Sequence, residues 1–220
     1  MKKDRKKPKS FYGKIWHFLW HDDSFLSLIT LLALSFILIK FVIYPGLGLI
    51  LGTKFPIVAV ISGSMDHNTI NKEICGNIPN TYSKSPDNFW QQCGQWYENK
   101  GIQKDQFKEF PLSNGFSRGD IIILKGKDPK DINIGDIIVF RAQDVSKKPD
   151  PIIHRVVQKD LENGNAFFQT KGDHNSGIWQ DEVIQESRIS DERVIGAALF
   201  KIPWLGFVKI YAVELFNLVK

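Results

Sequence analysis

A serine within a glycine-containing turn is the residue of this chain with the clearest chemical potential. The turn reads Ile-Ser-Gly-Ser-Met over residues 61–65, and Ser64 is the candidate nucleophile. A serine hydroxyl attacks a carbonyl well only when a neighbouring base removes its proton. His154 is the best candidate base, because imidazole exchanges protons near neutral pH. Asp173 supplies a carboxylate that can orient the imidazole.

The remaining histidines are less suited to this chemistry. His17 and His21 precede a long apolar segment, whereas His67 and His174 lie in polar turns. A serine in a glycine turn and a histidine in a strand are each commonly structural. Their combination with a carboxylate, just beyond an apolar segment of membrane length, predicts a membrane-tethered serine hydrolase.

The apolar segment predicts how this site is held. Residues 24–44, if helical, rise about 30 Å, which matches the hydrocarbon core of a bilayer. Basic residues crowd the first ten positions, and basic flanks stay on the cytoplasmic side. They are Lys2, Lys3, Arg5, Lys6, Lys7 and Lys9. We therefore expect an uncleaved single-pass anchor of the cell membrane, with the N-terminus cytoplasmic and the later residues outside. The alternative is a buried hairpin helix.

Two flanking segments are expected to lie at the membrane surface. Residues 1–23 form a basic and aromatic segment whose rings favour the headgroup layer, although an amphipathic helix packed on a partner subunit fits equally well. Residues 207–220 predict an amphipathic C-terminal helix. The pattern does not decide whether that helix crosses the bilayer.

Between these segments, residues 45–206 predict one β-rich catalytic domain. The 220-residue chain carries a net charge of +5, but the basic cluster at its start accounts for the excess, so we expect membrane lipid and no nucleic acid as partner. Short apolar runs follow turns, notably the Gly-Asp pairs at 119–120 and 135–136. The fold class is therefore mainly β, an antiparallel sheet preceded by a transmembrane helix.

Residues 66–117 differ in composition and predict an insertion. They contain both cysteines of the chain, Cys75 and Cys93, and an even count in an exported domain favours a disulfide. A metal site built from these cysteines and His67 is a weak alternative, because the spacing fits no standard zinc pattern. We expect no metal and no cofactor.

Four motifs, taken together, resemble those of type I signal peptidases. They are Ser-Gly-Ser-Met at 62–65, Gly-Asp-Ile-Ile-Val-Phe at 135–140, Ile-His-Arg-Val at 153–156 and Thr-Lys-Gly-Asp at 170–173. Histidine stands where the bacterial group has a catalytic lysine, so the chain is similar to the archaeal and endoplasmic-reticulum branch. The resemblance implies a signal-peptidase β-fold and a serine endopeptidase that cleaves N-terminal signal peptides from exported preproteins.

The same resemblance implies a role for each residue. Ser64 is the acyl-forming nucleophile and His154 the general base, while the Ser64 amide and Ser62 hydroxyl form the oxyanion hole. The carboxylate that orients the histidine is Asp181 or Asp173, and the motif leaves this choice open. The preprotein is expected to add as a strand beside Ile57, Ala59 and Ile61. Accessory membrane subunits are further expected partners.

Two other functions compete with this hypothesis. A catalytically inactive, membrane-anchored β-domain would use the insertion, with Trp90 and Trp96, as a binding surface. A self-cleaving Ser-Lys protease is disfavoured, because His154 occupies the expected lysine position and an apolar span precedes the serine. If the Ser64 and His154 side chains cannot approach within hydrogen-bond reach, about 3 Å, the binding module is favoured over the peptidase.

Overall fold

The computed structural model describes residues 10–70, 73–78, 86–208, 210, 211 and 214. The chain divides into two compact units, residues 1–50 and 51–220. The basic cluster expected to set membrane orientation, from Lys2 to Lys9, lies outside the described residues.

The N-terminal unit is helical. Helix α1 spans Phe11–His21, and helix α2 spans Phe25–Leu38. A π-helical segment, Ile39–Ile43, then leads into α3, Tyr44–Leu51, so that 27 consecutive residues from Phe25 are helical and apolar enough to cross a membrane. The helix thus continues past residue 44. The π-helical turn lies directly ahead of Pro45, where proline removes a backbone donor and disturbs a regular α-helix.

The second unit contains one seven-stranded antiparallel sheet with the spatial order β1-β2-β7-β3-β4-β5-β6. Its strands are β1 Ile57–Ala59, β2 Ile121–Lys125, β3 Ile137–Phe140, β4 Ile152–Glu162, β5 Asn165–Lys171, β6 Ile189–Ser190 and β7 Val194–Ile202. Two short 3-10 helices, Pro129–Asp131 and Asp191–Arg193, join them. The predicted mainly β, antiparallel fold class is confirmed.

Both faces of the sheet are covered at its centre. Along β3, Ile138 and Phe140 belong to one buried cluster, whereas Ile137 and Val139 belong to the other. Successive side chains of a strand point to opposite faces, so a strand buried on both sides is apolar throughout. The run Ile-Ile-Val-Phe therefore marks the centre of the sheet.

The two Gly-Asp pairs form matching turns ahead of β2 and β3. Gly119 and Gly135 have φ of +93° and +97°, a region that glycine enters without steric cost. The aspartate that follows each glycine accepts a hydrogen bond from the backbone N–H three residues earlier, at 3.0 Å for Asp120 and 2.8 Å for Asp136. Glycine and aspartate thus close each turn before the strand begins.

The insertion contains two helices that the composition of residues 66–117 did not predict. Helix α4 spans Pro86–Glu98 and α5 spans Lys104–Lys108. Phe89, Cys93 and Tyr97 recur every four residues, which is the period of one helix face, and all three are buried. With Phe107 they form an aromatic cluster. Cys93 is disulfide-bonded to Cys75.

The predicted C-terminal helix is only partly described. Residues 207, 208, 210, 211 and 214 are helical. Residues 209, 212, 213 and 215–220 lie outside the described residues, so the amphipathic helix over 207–220 stays a prediction.

Candidate active site

The serine turn lies just beyond edge strand β1. The backbone N–H of Asp66 donates to the carbonyl of Gly63 at 2.9 Å, which closes the turn around Ser64. Met65 is buried beneath it and accepts a backbone hydrogen bond from Phe116. The hydroxyls of Ser62 and Ser64 lie 3.2 Å apart. The burial of Met65 thus fixes the turn that carries the two serine hydroxyls.

His154 lies on β4, opposite Ile138 of β3. Its ring is almost fully buried, and its Nδ1 atom is hydrogen-bonded to the carboxylate of Glu186. A hydrogen on Nδ1, donated to this carboxylate, leaves the lone pair of Nε2 available. This is the tautomer that a general base requires.

Glu186 is fully buried and held on both sides. Its Oε1 accepts a hydrogen bond from the Thr170 hydroxyl at 3.1 Å, and its Oε2 accepts one from the Trp179 backbone N–H at 2.8 Å. Its own backbone pairs with the same two residues, with N–H donating to Trp179 and the carbonyl accepting from Thr170. The carboxylate therefore has little freedom to turn away from His154.

In the described part of the chain, neither of the two expected orienting carboxylates, Asp173 and Asp181, is hydrogen-bonded to His154. Asp181 is exposed and accepts hydrogen bonds from the backbone N–H groups of Val183 and Ile184, at 2.9 and 2.7 Å, so it caps a turn. Asp173 is bound by Arg155. Arg155 follows His154 in β4, and because adjacent residues of a strand point to opposite faces, Asp173 lies on the other side of the strand from the His154 ring. The carboxylate that is hydrogen-bonded to His154 is that of Glu186.

Asp173 lies at the centre of a second buried network. Arg155 donates to it through Nε at 2.9 Å and through Nη2 at 2.7 Å. Tyr97 and His67 bind the same carboxylate. Burial alone would raise the pKa of Asp173, but the Arg155 charge and the hydrogen bonds from His67 and Arg155 hold that pKa well below its usual range. Asp173 is therefore an ionised structural anchor.

The serine turn and His154 border one cleft of about 350 Å³. Ser62, Ser64, His154 and Asn175 contribute its polar lining, while Ala59, Ile61 and Trp179 contribute apolar walls. Within the described residues, no direct hydrogen bond joins Ser64 to His154. Such bonds are often long in unliganded enzymes and tighten when substrate binds.

Gly172 is the residue that lets these groups approach one another. A Cβ atom built on it would lie 2.7 Å from His154 Nε2, 2.8 Å from the Ser64 carbonyl oxygen and 2.6 Å from Asn175 Nδ2. Real Cβ contacts are not this short, so any larger residue would displace His154 or the serine turn. The glycine of the Thr-Lys-Gly-Asp motif is thus required for space.

Strand β1, beside which the substrate is predicted to bind, has one unpaired edge among the described strands. β1 pairs with β2 alone, and Ala59 and Ile61 line the cleft whereas Ile57 does not. An edge strand presents unpaired backbone groups to which an extended peptide can add. Binding of a preprotein there stays a prediction.

Glu186 is the residue that sequence reasoning missed. It follows Asp181 in a stretch with three acidic residues, and nothing local to the sequence distinguishes them. The one available signal is that Glu186 lies three residues before Ile189, at the start of a run that returns to the sheet. In contrast, the alternation of side chains along a strand is enough to predict that His154 and Arg155 point to opposite faces of β4.

The metal alternative considered for the insertion does not fit the structure. Cys75 and Cys93 are bonded to each other, which leaves no thiolate to coordinate an ion with His67. Across the described part of the chain, no group of three or more His, Cys, Asp or Glu side chains is placed to hold a metal.

Comparison with known proteins identifies related chains. The chain is 27% identical over 196 residues to the signal peptidase complex catalytic subunit of Komagataella phaffii, which covers 86% of this chain and 85% of that protein. It is 30% identical over 108 residues to the corresponding subunit of Verticillium alfalfae and 31% identical over 104 residues to that of Homo sapiens. The two shorter matches cover 47% and 45% of this chain, and 59% and 51% of the relatives. No family model matches the chain.

Proposed function

We propose that this chain is a membrane-bound serine endopeptidase that removes N-terminal signal peptides from exported preproteins. It is a homologue of those catalytic subunits, and we place it in the histidine-bearing branch of type I signal peptidases. One observation carries the proposal: Ser64 and His154 border one cleft, and the buried carboxylate of Glu186 is hydrogen-bonded to His154 Nδ1, which leaves Nε2 to act as a base. The peptidase hypothesis therefore rests on geometry as well as on relatives.

In the proposed reaction the first step acylates Ser64. His154 Nε2 takes the hydroxyl proton while Ser64 Oγ attacks the scissile carbonyl carbon, and Glu186 stabilises the imidazolium that forms. His154 then gives its proton to the departing amine, so the mature protein leaves and the signal peptide stays esterified to Ser64. A water molecule, deprotonated by the same histidine, hydrolyses the ester and restores the serine.

The negative charge that develops on the carbonyl oxygen needs donors. The Ser62 hydroxyl and the Ser64 backbone N–H supply them in this proposal, and Ser62 Oγ already lies 3.2 Å from the nucleophile. Each preorganised donor of this kind is worth ~3 kcal/mol in the transition state. Asn175 borders the same cleft and offers its amide to the substrate backbone.

The anchor places this chemistry at a membrane. We propose a single span with the N-terminus cytoplasmic and the catalytic unit on the outer face of the cell membrane, because the basic residues that precede Phe25 favour the cytoplasmic side. A signal peptide in the same bilayer then meets the cleft at high effective concentration. Accessory subunits are proposed as partners because the relatives are named as subunits of a complex.

The test is cleavage of a purified preprotein by the full-length chain in detergent. We expect one cut at the end of the signal peptide, and we expect Ser64→Ala and His154→Ala to abolish it while both variants stay folded. Full activity of the Ser64→Ala variant would refute the proposal. A folded wild-type chain that cuts no preprotein would instead support the inactive binding module.

A further inference from the structure

We infer that Tyr97 and His67 of the insertion are positioning residues of the proposed reaction. They hold Asp173 and, through it, the loop of residues 172–175 against Ser64 and His154. The inference rests on the proposed peptidase function and deepens it, because it assigns a task to residues 66–117. Neither residue touches the cleft, so both act through Asp173.

The first link is the grip of the insertion on Asp173. The Tyr97 hydroxyl donates to Asp173 Oδ1 at 2.9 Å, and His67 Nε2 lies 2.8 Å from Oδ2. Tyr97 and Asp173 are fully buried. The His67 ring is itself fixed, because it stacks on Phe89 of α4 with ring centroids 3.7 Å apart. Both oxygens of the carboxylate therefore receive a rigidly held partner from the insertion.

The second link joins the loop to the nucleophile. The backbone N–H of His174 donates to the Ser64 carbonyl at 2.9 Å, while the carbonyl of His174 accepts from Cys75 of the insertion at 2.9 Å. One loop residue thus bridges the serine turn and the insertion. Gly172, next to Asp173, borders both His154 Nε2 and the Ser64 carbonyl. A shift of Asp173 would therefore move Gly172 relative to His154 and Ser64.

Charge and position are supplied by different groups. Arg155 neutralises Asp173, whereas Tyr97 adds a neutral donor. Burial, with the negative charge of Asp173, raises the pKa of Tyr97 well above its ordinary value, so the hydroxyl keeps its proton. Removal of that hydroxyl leaves the Arg155–Asp173 ion pair intact. The fold should then persist while the loop loses one of its fixed points.

The tryptophans of the insertion also face inward. Trp96 packs edge-on against Tyr97, with ring centroids 5.3 Å apart, and Lys171 Nζ lies 5.1 Å from the Trp96 ring. Trp90 stacks on Tyr97 at 5.9 Å. These contacts favour a support for the loop over the partner-binding surface considered from the sequence.

The test compares Tyr97→Phe with Ile102→Val in the full-length protein. Ile102 is buried in the same cluster but makes no hydrogen bond to Asp173, and each change removes one small group. We expect Tyr97→Phe to lower kcat for a preprotein about tenfold or more, because small misplacements of reacting groups are costly, with KM within twofold and a thermal midpoint matching the control. Equal kcat values in the two variants would overturn the inference.

His67 offers a rescue experiment. His67→Gln retains a side-chain amide donor for Asp173, whereas His67→Leu removes it, so we expect the glutamine variant to keep most of the kcat and the leucine variant to lose it. Equal losses at equal stability would contradict a positioning role. The parent proposal fails separately, if Ser64→Ala retains cleavage, and no result with His67 or Tyr97 can mimic that outcome.

Discussion

At the scale of single residues, two neighbours on one strand divide the work. His154 and Arg155 point to opposite faces of β4, and each meets its own buried carboxylate, Glu186 and Asp173 respectively. Glu186 is placed to act on the proposed base, whereas Asp173 anchors the loop beside it. The roles of the two acids are therefore experimentally separable.

Glu186→Gln should lower kcat by about 10²–10⁴ with little change in stability. An amide can donate as well as accept, so it no longer fixes the hydrogen on His154 Nδ1. Asp181→Asn is the matched control and should stay within twofold of wild type, because Asp181 only caps an exposed turn. Steady-state cleavage of a preprotein measures both. The reverse ranking would return the orienting role to Asp181.

Lys171 should make stability depend on alkaline pH. Burial lowers the pKa of Lys171 to about 8. The negative charges of Asp173 and Glu186 raise this pKa in part, and the positive charge of Arg155 lowers it further. Between about pH 8 and 10.4 the unfolded state holds more protons, so the free energy of unfolding rises with pH. Relative to Lys171→Met, wild type should gain up to about 3 kcal/mol over that range.

Denaturant titrations of both proteins in detergent at several pH values provide the measurement. Because the comparison is made against Lys171→Met, other groups that titrate in this range cancel. A difference between the two proteins that stays constant as pH rises would show that the buried amine keeps its ordinary pKa, and a difference that falls would show that its pKa is raised; either result would contradict the prediction.

Strand periodicity and a turn motif predicted catalytic roles for Ser64 and His154. The two residues border one cleft, and their catalytic roles stay predictions. Glu186 could not be identified, because it lies 32 positions from His154, in the segment without helix or strand between β5 and β6. Long-range register of this kind is encoded in packing and not in local pattern.

At the scale of elements, the insertion is the principal departure from expectation. A stretch judged irregular contains α4, whose buried residues at 89, 93 and 97 follow a helical period. Its interleaved polar residues and short flanks hid that period. The helix is tied to the segment around Cys75 by the disulfide, and Cys75 in turn donates to His174. The disulfide-bonded Cys75 is thus hydrogen-bonded to the loop beside Ser64.

Replacing both cysteines by serine should destabilise the protein. The disulfide joins residues 18 apart, and closing a loop of this size stabilises a folded chain by about 3 kcal/mol through the unfolded state. We expect a lower thermal midpoint for Cys75→Ser/Cys93→Ser, and the same midpoint for wild type treated with a thiol reductant. An unchanged midpoint in both would show that the bridge does not constrain the unfolded chain.

At the scale of the whole molecule, the chain combines a membrane-length helix with a unit built on one antiparallel sheet. Length and hydropathy predicted the apolar helix, and the strand pattern predicted the antiparallel sheet. Length and hydropathy placed the end of the helix too early, because Pro45 reads as a helix breaker although a π-helical turn ahead of it lets the helix continue to Leu51.

The most direct test of the central claim is to trap the covalent intermediate. Full-length protein mixed with a preprotein in detergent is quenched with acid during turnover, digested and examined by mass spectrometry. The account predicts the signal peptide esterified through its new carboxyl end to Ser64, with no adduct in the Ser64→Ala variant. Cleavage that proceeds with an adduct on another residue, or with an adduct in the Ser64→Ala variant, would contradict it.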